Sequence, residues 1–159
     1  MSRKRIQSLD RSLELAINGM MSAMKTLPTA SRATTSTIIV YGIPNCDTVK
    51  KARSWLTEQG VDYQFHDFKK QGVPTDLLPD WVASIGLDTL INRRGPTWRK
   101  LDAATQASVV DSASAIAVMQ VHSSVIKRPV VVWRDGGVSV GFDPLVFAAR
   151  ARADSYPER

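Results

Sequence analysis

The chain has 159 residues, 43% of them hydrophobic, a formal net charge of +6 and a single cysteine, Cys46. This length supports one core of ordinary size rather than two, and one thiol excludes an internal disulfide, so a stapled secreted fold is ruled out and a reducing cytoplasm is the expected compartment. The basic excess sits at the front, where Arg3, Lys4, Arg5, Arg11, Lys25 and Arg32 face only Asp10 and Glu14. Residues 37–159 carry 15 basic and 13 acidic groups, which gives little reason to expect direct contact with nucleic acid.

Residues 1–36 contain no aromatic side chain and end in the small, polar run PTASRATTST. They read as a flexible basic extension followed by a domain at 37–153 and a short tail at 154–159. Within the extension, Leu9, Leu13, Ile17, Met20, Met21 and Met24 recur at helical spacing between Ser8 and Met24. An upstream-assigned start codon is one account of this segment. A transit peptide is another, and Asp10 and Glu14 count against it. No apolar run approaches the roughly 20 residues that span a bilayer, so a soluble protein without membrane attachment is expected.

The β-branched run Thr37-Ile38-Ile39-Val40-Tyr41, closed by Gly42 and Pro44, predicts a strand buried on both faces. From Asp47, the residues Val49, Ala52, Trp55 and Leu56 line one helical face that Gly60 terminates. Val61–Phe65 alternates apolar and polar residues, a second strand that runs parallel to the first after the helical crossover. From Pro74 to about Gln120 the pattern is helical: LLPDWVASIG carries one amphipathic stripe, and a further segment spans Asp102–Met119, with Asp111 or Ser112 placed to cap a helix. Pro129–Trp133, a turn at Arg134–Gly137, and Val138–Gly141 form a hairpin. Asp143-Pro144 starts a last helix, with Asp as cap and Pro at the first helical position. The sum is an α/β domain built on one mixed sheet.

Cys46 falls where a strand has ended and a helix begins. Unpaired amides and the helix dipole favour negative charge there, which points to a thiolate rather than to inert filler. Lys50, one turn later, can add positive charge, while Asp47 opposes it.

In order and spacing, the segments GIPNCDTVKKARSWL, YQFHDF, INRRGPTWRKLD, DSASAIAVM and IKRPVVV resemble the arsenate reductase-related branch of the thioredoxin fold. That branch includes arsenate reductases, Spx regulators and YffB-like proteins, and the likeness is strongest to the YffB-like group. It covers residues 37–147 and implies a thioredoxin- or glutaredoxin-like four-stranded mixed sheet with a helical insertion between strands 2 and 3. It also implies Cys46 as the nucleophile, with Asn45 and Lys50 in support. Arg128-Pro129 would be the family's Arg-Pro pair with a cis bond, and Arg94 the arginine of the insertion, so that Arg94, Arg128 and Pro129 form the substrate or anion site. Val49 stands where dithiol relatives carry a second cysteine. A disulfide step must therefore recruit an outside thiol, such as glutathione or another low-molecular-weight thiol, or a protein partner. No bound cofactor and no metal are implied, and a monomer is expected.

One position departs from the arsenate reductase pattern. The stretch Ser139-Val140-Gly141-Phe142-Asp143 lacks a third arginine, which removes one donor for a tetrahedral oxyanion. The GxSxG spelled by Gly137–Gly141 is misplaced for a nucleophile elbow, because Ser139 lies inside a predicted hairpin strand. One cysteine with the separated His66 and His122 cannot make a four-ligand zinc site. Two classes of function remain: a glutathione-dependent monothiol oxidoreductase, and an Spx-like regulatory module that docks on the transcription machinery without turnover. The CxxV sequence at Cys46–Val49 excludes switching by an internal disulfide and favours the first.

Overall fold

The computed structural model describes residues 36–155, with side chains to Ala153. The helix expected between Ser8 and Met24 and the tail at 154–159 lie wholly or largely outside those residues.

Strand β1 (Ile38–Gly42) leads into helix α1 (Asp47–Glu58) and strand β2 (Tyr63–Asp67). Next come the helices α2 (Leu78–Ile85), α3 (Leu87–Leu90), α4 (Pro96–Lys100), α5 (Ala103–Ser108) and α6 (Ser112–Val121), then a single 3₁₀ turn at Ser123–Val125. Strands β3 (Val130–Val132) and β4 (Val138–Val140) and helix α7 (Pro144–Ser155) complete the order. The sheet order is β2-β1-β3-β4, with β1 parallel to β2 and antiparallel to β3. This is the thioredoxin-like mixed sheet, and its helical insertion lies between strands 2 and 3 as expected.

The period of two in a strand divides the core into two layers. Ile38 and Val40 of β1 and Val131 of β3 pack with Ala52, Leu56, Trp133 and Phe147 on the α1/α7 side. Tyr41 and Val130 join Leu78, Trp81, Leu90, Met119 and Ile126 on the insertion side. Being central, β1 is covered on both faces, which accounts for its unbroken apolar run.

Strand β2 starts two residues later than the alternating pattern suggests, and the end of α1 explains why. Gly60 is left-handed at φ 68°, its N–H donates to Thr57 O, and the Val61 N–H donates to Leu56 O at 2.9 Å. This Schellman closure occupies Val61 with capping, and its side chain packs in the same layer as Leu56. The other caps lie where they were expected. The Asp111 carboxylate accepts the Ser114 N–H at 2.8 Å in a reciprocal capping box, and the Asp143 carboxylate accepts the Leu145 N–H at 2.8 Å.

Candidate functional site

Two features bring the site together. The loop Ile43–Cys46 carries the chain from the end of β1 into α1, and the Cys46 N–H donates to Ile43 O at 3.1 Å, which closes it into a tight turn. Cys46 is the N-cap residue of α1, with extended backbone (φ −92°, ψ 124°). Strand β3 runs back along β1 with Tyr41 opposite Val130. Carrying that register one step further sets Pro129 beside Gly42 and Arg128 beside the start of the cysteine loop. The Arg128–Pro129 bond is cis, Pro129 is buried, and its carbonyl accepts the Gly141 N–H at 2.8 Å.

Cys46 is partly exposed. Burial pushes its thiol pKa up, but this is outweighed by the Val49 amide, a hydrogen bond from the Arg128 side chain, the Thr48 amide and the charge of Arg128, so the pKa is lowered. Thr48 and Val49 occupy the second and third positions of the helix, whose N–H groups have no intrahelical acceptor. Neither amide closes a conventional capping bond to sulfur. Both still lie where a thiolate is stabilised more than a thiol.

Arg128 is half-buried, and its Nε and Nη1 are shielded from solvent without a hydrogen-bond partner. Buried guanidinium donors without an acceptor carry a desolvation cost that an anionic oxygen would relieve.

The remaining expected residues are exposed. Arg94 lies on the exposed turn after Leu90–Asn92. That segment is tied to the chain ahead of Arg128 by Asn92 N–H to Val125 O at 2.7 Å and Lys127 N–H to Leu90 O at 2.8 Å. Arg94 itself has no hydrogen bond or ion pair among the described residues, whereas its neighbour Arg93 stacks on Trp98 and pairs with Asp88. Asn45 is exposed. Lys50, 59% exposed, lies 3.9 Å from Asp47 and is not among the groups that lower the Cys46 pKa.

Ser139 of the GxSxG sequence accepts a hydrogen bond from Trp133 Nε1 at 2.9 Å within the hairpin, a structural role. The ring of His66 packs against Tyr41 and Phe68, and its Nε2 lies 2.8 Å from Gly72 O. Gly42, read from sequence only as the close of a strand, has Val49 packed directly on its α-carbon. The sole sequence signal for that contact is a glycine at the end of a β-branched run.

Residues 41–149 match the model of the ArsC family. A solved structure of a protein named YFFB is 46% identical, covers 72% of this chain and 99% of its own, and superposes with a TM-score of 0.68. The solution structure of an arsenate reductase (ArsC) related protein from Brucella melitensis is 43% identical over 72% of this chain and 94% of that one, with a TM-score of 0.56. An uncharacterized protein of Haemophilus influenzae is 38% identical over 112 residues, 70% of this chain and 96% of that protein. The global transcriptional regulator Spx of Streptococcus pyogenes is 28% identical over 98 residues, 60% of this chain and 71% of the regulator.

Proposed function

The chain belongs to the ArsC family, and from that premise we propose that it is a monothiol oxidoreductase whose nucleophile is the Cys46 thiolate and whose co-substrate is glutathione or another low-molecular-weight thiol. The observation that carries this reading is the pairing of an acidified thiol with the unsatisfied donors of Arg128. In the cycle, the Cys46 thiolate attacks one sulfur of a disulfide R–S–S–R′. The Cys46–S–S–R bond forms, the S–S bond of the substrate breaks, and R′S⁻ leaves with the electron pair. A glutathione thiolate then attacks the R sulfur, forms R–S–S–G and returns Cys46 as thiolate. Cys46 is regenerated, so these two steps exchange one disulfide for another; attack of a second glutathione thiolate on R–S–S–G releases RS⁻, forms oxidised glutathione and completes a two-electron reduction in which glutathione is the reductant.

Arg128 favours the attacking thiolate and holds a carboxylate or oxyanion of the substrate, while exposed Arg94 offers a second charge to the same ligand. A protein disulfide can take the place of the small one at the first step. The chemistry suits a reducing cytoplasm and needs only one copy of the chain. Arsenate is the less suited substrate, because the stretch Ser139–Asp143 at the end of the hairpin supplies no third guanidinium.

The likeness to Spx supports a second reading, a regulatory module that contacts the transcription machinery. Val49 in place of a second cysteine removes the internal disulfide switch such a module would use.

Intact-mass measurement after mixing with oxidised glutathione, for wild type and Cys46→Ser, distinguishes the two. The oxidoreductase reading expects one glutathionyl adduct on wild type and none on the variant, with glutathione removing the adduct. A wild type that stays unmodified contradicts it. In parallel, arsenate plus glutathione should give weak turnover, and rapid arsenate reduction would move that activity to first place.

A further inference from the structure

Gly42 ends β1 and faces the first turn of α1. A Cβ built there would lie 3.4 Å from Cγ1 of Val49 and 2.8 Å from its Cγ2, the latter closer than carbon atoms pack without one of them moving. The backbone of Gly42 is not left-handed, so space rather than conformation is what its missing side chain provides. Val49 is fully buried, and a β-branched residue in a helix has essentially one side-chain rotamer. It cannot swing its methyl groups aside, so the turn that carries it would have to shift. That turn holds the Val49 N–H, the third amide of α1 and one of the two that lower the Cys46 pKa. Gly42 is fixed from the other side, because its carbonyl accepts the Phe68 N–H at 2.9 Å and extends the β1–β2 pairing.

We propose that Gly42 is a positioning residue for Cys46: its missing Cβ seats Val49 against the end of β1, and this seat holds the Val49 amide at the distance from the sulfur that its chemistry requires. The inference rests on the thiolate reading above. It adds a specific requirement for no side chain at residue 42, acting through the methyl groups of Val49.

The test is a double-mutant cycle on the full chain, with iodoacetamide alkylation of Cys46 followed against pH for wild type, Gly42→Ala, Val49→Ala and the double variant. In the wild-type background, Gly42→Ala should move the midpoint of the alkylation profile to higher pH and slow alkylation below the midpoint by about threefold or more, because a smaller thiolate fraction is present. In the Val49→Ala background the same substitution should have no effect. The remaining Val49 Cβ lies 3.7 Å from the added methyl, an ordinary contact.

An unchanged profile for Gly42→Ala overturns the inference, as does an equal shift in both backgrounds. If Gly42→Ala alone does not fold, the comparison is Val49→Ala against the double variant: folding restored with matching profiles supports the steric seat, and a double variant displaced to higher pH overturns it. A wild-type profile already at the value of a free thiol would overturn the thiolate reading itself. That outcome is distinct from a low wild-type midpoint that Gly42→Ala leaves in place.

Discussion

At the scale of single residues, the site is a competition over the charge of one sulfur. Burial favours the neutral thiol, and two amides and Arg128 together favour the thiolate more strongly. Removing the guanidinium while keeping much of the side-chain volume, as in Arg128→Met, should slow alkylation of Cys46 at a pH below its midpoint by about tenfold, and Arg128→Lys should restore only part, since a point charge cannot reproduce the planar fork. Mass-spectrometric alkylation kinetics would measure both.

The lowered pKa also couples the thiol to stability. The folded thiol is more acidic than the unfolded one, so the thiolate contribution is complete above the unfolded pKa and lost as pH falls through the folded one. The stability difference between wild type and Cys46→Ser should therefore grow with pH across that window and be flat below it, as read from denaturant midpoints. An arginine added at Gly141 to rebuild a three-way oxyanion clamp would meet open space. The φ of 81° at that residue disfavours any side chain by about 1 kcal/mol, so gain of arsenate activity there carries a stability cost. The cysteine and the helix start beside it are legible in the local sequence. The meeting of Arg128 with Cys46 is not, because it depends on the register of two strands some 90 residues apart, and only the Arg-Pro resemblance points to it.

Secondary-structure elements were legible wherever a chemical stop or start marked them. The strand run of β1, Asp111 before α6 and Asp143-Pro144 before α7 all coincide with the observed boundaries to within a residue or two. Strand β2 was displaced because the Schellman closure of α1 uses Val61, a hydrogen-bonding outcome that alternation of apolar residues does not encode. Helix α7 shows a related limit, since Leu145 and Val146 are exposed while Phe147 alone at this end is fully buried. Phe147 meets Trp55, Trp133 and Phe142 edge to face, with centroids 5.0 to 5.7 Å apart, and anchors the helix to the sheet. Phe147→Ala should cost about 3–5 kcal/mol, whereas Leu145→Ala should stay within about 0.5 kcal/mol. Urea unfolding of the two variants checks the contrast, and similar losses would mean that α7 is held by more of its surface than the aromatic cluster.

Across the whole molecule, the described residues of both core layers run from Ile38 onward, and the sequence before them is basic, free of aromatics and closed by a polar run. Deleting residues 1–36 should leave the thermal midpoint and the alkylation rate of Cys46 within error of the full chain; a fall of several degrees would show that the stripe from Leu9 to Met24 stabilises the domain. No helix among the described residues is long and apolar enough to cross a membrane. The pairing of β3 with β1 brings Arg128 from a distant segment to the loop and helix start that supply the thiol and two amides. This arrangement lowers the pKa of Cys46 and favours its thiolate. The most direct measurement is the alkylation rate of Cys46 in the full wild-type chain as a function of pH. The half-maximal rate should fall clearly below the titration range of a free cysteine, and a midpoint within or above that range would contradict the account.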